Sequence, residues 1–293
     1  MDYFTLVGAR PQAAPPQHTK EPWHKDLPIV SILLLALIVL GCLLCDVFLT
    51  KDPGYMDLSH CSAAPNREFL FGTDTMGRDI FSMIWSGGRL SLFIGICATL
   101  LSTAIAVFFG SLSGCAGEKL DAFFMRVNEI FISIPNLLLI VLLQAVLGKA
   151  SALSLSIVIG LTSWMSIAKV VRTEVRRIRN SEHVIAARCM GAGFFRILWK
   201  HLAPNFFSSI MFMVVMNVRS AIVAESTLSF MGIGLPLEVI SWGSMLSLSE
   251  KALSSGAWWI ILTPGAFLVV TMLCITNLGN ALRRNVSRKE SNL

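Results

Sequence analysis

Residues 90–117 read LSLFIGICATLLSTAIAVFFGSLSGCAG and contain no charged side chain. About 20 apolar residues are enough to carry a helix across the hydrocarbon layer of a bilayer, so this stretch decides the fold class. Working outward, five more blocks of similar character appear: Leu27–Cys45, Ile130–Gly148 with a start reaching back through Phe123, Ala150–Ala168, Leu202–Val218 running on towards Phe230, and Ala252–Leu282. The expected fold is an all-α polytopic membrane protein with six transmembrane helices. Its segments are a tail 1–26, a first helix 27–49, an outer loop 50–89, five helices within 90–282 and a tail 283–293.

Composition agrees. Of 293 residues, 54% are hydrophobic and 14% charged, whereas soluble domains run near a quarter charged. An ordinary soluble enzyme and a disordered tail are both excluded. The net charge of +6 could suggest a nucleic-acid partner, but the charge is sorted by loop. The N-terminal tail, 115–126, 169–204 and the C-terminal tail carry seventeen Lys and Arg, against six in the alternate loops. Cytoplasmic loops collect Lys and Arg, so both termini are expected in the cytoplasm, and no nucleic acid is needed to explain the charge. The polar N-terminal 27 residues lack an apolar core, so no cleaved signal peptide is expected. Seven cysteines are an odd number for a disulfide framework. Cys42-x-x-Cys45 lies inside an apolar run, where Cys packs as a small hydrophobe.

Two loops are too long to be connectors, 46–89 outside and 169–204 inside. In the inner loop, span 4 continues as a basic helix to about residue 180. Ser181 is placed to cap a short helix over 182–190, and Gly191 to end it in the left-handed conformation. A second short helix runs from about Phe194 to Leu202, with Phe195, Leu198 and Leu202 on one face, and Pro204 is expected to stop it. Periodicity alone reads equally well as an amphipathic hairpin on the membrane surface.

In the outer loop, Gly72-x4-Gly77 has the glycine spacing of a phosphate loop. Arg78-Asp79 stands where Lys-Ser/Thr is required, and Asp74 and Asp79 would repel phosphate, so the nucleotide reading fails. The bland reading is a glycine-punctuated turn with Asp74, Arg78 and Asp79 in local ion pairs, followed by an amphipathic lead into span 2.

These segments carry a resemblance. His183 to Gly193, then Ile197 and His201-Leu202-Ala203-Pro204-Asn205, is similar to the EAA loop of binding-protein-dependent ABC importer permeases. Ala186, Ala187, Gly191 and Pro204 match, and Ile185 stands where the family usually has Glu. Gly72-Thr73-Asp74-x-x-Gly77-Arg78-Asp79, followed by Gly87-Gly88-Arg89-Leu90-Ser91-Leu92, resembles the C-type subunit of dipeptide, oligopeptide and nickel importers. Further matches follow in order: Arg126 to Pro135, Glu225 to Gly234, Ser241-Trp242-Gly243-Ser244-Met245-Leu246, and Asn277-Leu278-Gly279. Together they cover about 27–284.

The resemblance implies a type I ABC importer transmembrane fold in a bacterial inner or plasma membrane. Val184, Ile185, Ala186, Ala187, Gly191, Ala192, Phe195, Leu198 and Pro204 would then couple to an ATPase. Gly72, Asp74, Gly77, Arg78, Asp79 and Arg89 would shape the outer loop, and Arg219, Glu225, Ser229, Trp242 and Met245 the pathway or its gate. The implied partners are a second homologous permease, two ATP-binding subunits, an extracytoplasmic solute-binding protein and the lipid bilayer. ATP and Mg belong to the partner subunits; this chain is expected to hold no cofactor or metal and to catalyse nothing.

Arg219 and Glu225 are the charges embedded in span 5. Six positions apart is about 240° around a helix, so they do not share a face. For Glu225 two readings stand: it accepts hydrogen bonds that hold the Gly232–Gly234 turn, or it lines the pathway.

Other classes fare worse. An intramembrane enzyme needs convergent nucleophile, base or metal ligands, and the five histidines lie outside the spans. A stand-alone secondary transporter is expected to show repeated halves with broken helices, and no repeat is visible. Di- or oligopeptides are the implied solutes, with nickel or a metal chelate as the rival.

Overall fold

The computed structural model describes residues 28–49, 51–236, 238–248, 252 and 256–291, without the side chains of 183, 188, 194, 195, 198, 201, 204, 205 and 285–291. The tail call at 1–26 and the end of the C-terminal tail therefore lie outside the described residues.

The described chain is built of helices. The first block forms α1 (Ile29–Leu43) and one further turn, α2 (Cys45–Phe48). The decisive block lies in α3 (Ile80–Cys115), which starts ten residues earlier than its uncharged core. The reason is Asp79: its carboxylate accepts from the Ser82 N–H at 3.0 Å and the Ser82 hydroxyl at 2.6 Å. This satisfies an end N–H that would otherwise lack a partner. Asp79 is thus a helix cap and not the ion-pair member expected of it.

The third and fourth blocks are each broken. α4 (Glu118–Ser133) and α5 (Asn136–Leu147) meet at 92°; α6 (Ala152–Ser163) and α7 (Met165–Ile178) meet at 45°. Pro135 accounts for the sharper break. It has no N–H to donate, and it forces Ile134 to extended backbone at φ −89°, ψ 130°.

After α8 (Glu182–Cys189) and α9 (Phe194–Ile197), one π-helical turn, Leu198–Leu202, leads directly into α10 (Ala203–Phe230). Pro204 therefore does not stop a helix. It sits in the first turn of α10, where a missing N–H costs nothing. The chain closes with α11 (Trp242–Ser247) and α12 (Trp259–Ser291).

Among the described residues, three helices, within α3, α10 and α12, are individually long and apolar enough to cross a membrane, and counting each bent pair as one span gives five. α1, at 15 residues, is apolar but short of that length.

α3 is the central post, packed by α6 and α7 along one side and by α10 and α1 along others. Close approach to α7 depends on missing side chains. A Cβ on Gly110 would stand 2.7 Å from the Ala168 carbonyl oxygen, and one on Gly114 2.7 Å from Val175 Cγ1. Three apolar clusters form around this post. One joins α1, α3, α10, α11 and α12, one joins α3, α5, α6 and α10, and one joins α3, α7, α8, α9 and α10. Large apolar side chains such as Val47 (84% exposed) and Val146 (79%) point outward, as a lipid-facing surface requires.

Candidate functional site: cavity, buried carboxylate and loop hairpin

The two breaks line one cavity, with α10 as its third wall. The cavity, of about 460 Å³, is walled by the elbow at Ile134–Asn136, the joint at Thr162–Ser166 and the α10 stripe Phe212–Ser220. Its lining mixes amide and hydroxyl groups (Asn136, Ser163, Ser166, Asn217, Ser220) with Phe and Met. Asn217 is braced from behind, its amide donating to the Ser102 hydroxyl on α3 at 2.5 Å. An uncharged, amphipathic wall of this kind can exchange hydrogen bonds with amides and still accept apolar side chains. Apart from Pro135, at the end of the Arg126–Pro135 match, the sequence motifs do not mark this cavity. Helix breaks that meet at one cavity in space are invisible along the chain.

Arg219, beside Ser220, is half-buried, and its Nε is buried without a hydrogen-bond partner among the described residues. Glu225 does not reach it. That carboxylate is fully buried and accepts from the hydroxyls of Ser91 (3.0 Å), Ser229 (3.0 Å), Ser241 (2.8 Å) and Ser226 (3.4 Å). Three of those hydroxyls in turn accept from backbone N–H groups: Ser91 from Trp242, Ser229 from Leu235, Ser241 from Ser244. One carboxylate thereby orients the hydroxyls that tie α3, α10, the 231–241 return and α11 together. Trp242 and Met245 belong to the core beside it, and the Trp242 indole donates to the Ile84 carbonyl at 3.0 Å. Of the five residues proposed for pathway or gate, Glu225, Ser229, Trp242 and Met245 are buried, and none of the five lines the cavity.

In the inner hairpin, α8 ends at Cys189 and the chain turns at Gly191, whose φ of +77° is the left-handed conformation that glycine accepts freely. The Ala192 N–H reaches back to the Ala187 carbonyl at 3.0 Å, closing the helix end. Val184 and Ala187 face inward, and Val184 joins α7 and α10 in one apolar cluster. Ile185 (49% exposed) and Met190 (80%) face out, as do Ala186 and Gly191, with Ala192 half-buried. The side chains of Phe195, Leu198 and Pro204 lie outside the described set. So the nine coupling candidates divide: some hold the hairpin to the bundle, others form its outer surface.

The outer loop is a closed staple. Asp74 accepts from the Met76 and Arg78 N–H groups, each at 2.8 Å, and from the Arg78 guanidinium at 2.7 Å. Both side chains are buried. Gly72 and Gly77 take positive φ, and the Trp259 indole at the start of α12 donates to the Thr73 carbonyl. Arg89 pairs with Asp46 at 2.6 Å, fastening α3 to α2. On the rim, hydrogen bonds from Ser59 and then His60 hold the Asp57 carboxyl down at about 2. Among the described residues, no three His, Cys, Asp or Glu side chains converge as a metal site would require.

Comparison with known proteins agrees with this arrangement. The family described as binding-protein-dependent transport system inner membrane component matches residues 106–292. The oligopeptide transport system permease protein OppC of Bacillus subtilis is 35% identical over 257 residues, 88% of this chain and 84% of that protein. The dipeptide transport system permease protein DppC of the same organism is 32% identical, over 91% of this chain and 84% of that protein. OppC of Escherichia coli is 33% identical, over 91% and 88%. The fold is similar to that of the MetNI methionine ABC transporter in its inward-facing conformations, with a TM-score of 0.54 at 17% identity, covering 70% of this chain and 96% of that one. It is also similar to an amino acid ABC transporter, with a TM-score of 0.51 at 13% identity, covering 70% and 94%. The chain belongs to the family of binding-protein-dependent transport system inner membrane components, the permease subunits of ABC importers.

Proposed function

We propose that this chain forms one half of the translocation pathway of an ATP-driven importer of di- and oligopeptides, working by alternating access. The single observation that carries the reading is the hairpin at Gly191. It presents Ile185 and Met190 to the outside while Val184 packs it against α7 and α10. A surface built on a rigid support is suited to receive a push and transmit it. The cavity between the two broken spans is what such a push would open and close. Its amide and hydroxyl lining suits a solute made of peptide bonds, and relatives over most of the chain are oligopeptide and dipeptide permeases.

In this reading the chain crosses the membrane six times with both termini in the cytoplasm, α1 supplying the first span. The basic hairpin meets two ATP-binding subunits, which bind and hydrolyse ATP with Mg. The outer loop meets a solute-binding protein, and a second homologous permease completes the pathway.

The test is uptake and ATP hydrolysis by the assembled transporter in proteoliposomes. Ile185→Asp with Met190→Asp should lower both about tenfold, the scale of losing a central apolar contact. Unchanged coupling in that variant would refute the hairpin assignment. Undiminished uptake without any ATPase subunit would replace the whole reading with a stand-alone transporter.

A further inference from the structure

A second cavity, of about 290 Å³, opens between α3, α4 and α7 at the basic end of the bundle. The proposed pathway makes no use of it. Its wall is a file of aromatic rings. Phe109 lies 5.3 Å from Trp164 and 5.9 Å from Phe124, and Phe124 lies 5.8 Å from Phe123, centroid to centroid. The file begins on the open surface, where Phe123 is 60% exposed, and ends at Trp164 in the break between α6 and α7.

Two cations share the wall. Arg172 is already bound by Asp121, with both of its contacts at 2.5 Å. Lys169, in the first turns of α7, has no carboxylate partner among the described residues. The cavity is thus apolar and aromatic within, open beside the outward-facing side chains of α4, and edged by an uncompensated ammonium. Aromatic rings favour the boundary between hydrocarbon and headgroups, and basic pockets between helices there attract acidic headgroups. A soluble apolar ligand would leave Lys169 unpaired. A free anion would leave the rings unused.

We propose that this cavity binds a glycerophospholipid with an anionic headgroup. One acyl chain would lie among Phe109, Phe124 and Trp164, with the net negative charge of the headgroup beside Lys169. The lipid would brace the corner at which α7 leaves the bundle for the hairpin.

The experiment takes the assembled transporter, stripped of lipid in detergent, and titrates it with phosphatidylglycerol or with phosphatidylcholine of the same chains under native mass spectrometry. The expected result is one phosphatidylglycerol retained at this chain, about fivefold tighter than phosphatidylcholine, the worth of one cation near an acidic headgroup. Lys169→Gln should remove the preference and Lys169→Arg keep it. Phe124→Ala should weaken both lipids alike. Equal retention of the two lipids by the unaltered protein would overturn the proposal, as would an undiminished preference in Lys169→Gln. Displacement of the lipid by inorganic phosphate alone would also overturn it, identifying a free-anion site instead.

Discussion

Arg172 on α7 grips Asp121 on α4 with two parallel hydrogen bonds, Nε to Oδ1 and Nη2 to Oδ2, each at 2.5 Å. Arg176 adds a contact at 3.2 Å, and the Ser113 hydroxyl on α3 donates to the same carboxylate at 2.6 Å. Arg179 completes the corner by donating to the Gly114 carbonyl at 3.0 Å. Three helices are thus fastened at the point where α7 carries the chain out to the hairpin. A paired guanidinium and carboxylate fix direction as well as distance, so tilt of α7 is passed to α4 and not absorbed between them.

Breaking that grip should loosen the corner. Asp121 is nearly buried, while Arg172 keeps a 20% exposed side chain, so the cost is discounted from that of a fully buried pair. Asp121→Ala is expected to destabilise the chain by about 2 kcal/mol. Titrated unfolding in denaturing detergent measures it, and Arg172→Ala completes a double-mutant cycle. A coupling below about 0.5 kcal/mol would show that the pair orders nothing.

Glu225 makes a sharper claim, because one buried carboxylate accepts from four hydroxyls on separate parts of the chain. Glu225→Ala leaves the Ser91, Ser229 and Ser241 hydroxyls without their carboxylate and should cost about 3 kcal/mol. Glu225→Gln keeps one acceptor oxygen and should cost clearly less. Limited proteolysis of the 231–241 return reports the loss locally. If both variants resist protease as the unaltered chain does, the carboxylate is not what holds the return.

At Gly191 the penalty is purely conformational. An added Cβ would meet nothing within 4 Å, so any cost of Gly191→Val comes from the left-handed backbone alone, about 1–2 kcal/mol. Gly191→Asn should be milder, since Asn visits that region more readily. The readout is coupled ATP hydrolysis, expected to fall in the order Gly, Asn, Val. Equal hydrolysis by all three would mean the turn is not needed for coupling.

Why some of this was legible and some not is a matter of distance along the chain. The Asp74–Arg78 staple, the Gly191 turn and the lipid-length runs are local, and spacing alone exposes them. The Glu225 cluster draws Ser91 from 134 residues away and Ser241 from 16, and serines in apolar runs look alike until they converge. Charge pairing is the simplest use of neighbouring charges and predicts an ion pair for Asp79; its capping of Ser82 depends on where α3 begins. Pro204 looked like a stop, since proline breaks helices, but a first-turn proline breaks nothing. The sequence showed Pro135 without showing that its elbow and the joint at Thr162–Ser166 would line one cavity.

That pair of breaks supports the last prediction. Ser220 is exposed and lines the 460 Å³ cavity from α10, so a larger side chain there occupies open space without displacing packed neighbours. Ser220→Trp should leave stability within about 0.5 kcal/mol, as exposed substitutions usually do. It should still lower peptide uptake at least tenfold, because the added ring fills space a solute must cross. ATP hydrolysis should persist, since the hairpin and the Asp121–Arg172 corner are untouched. Uptake that survives with normal stability would place the pathway elsewhere, and loss of hydrolysis together with uptake would show that the cavity wall itself takes part in coupling.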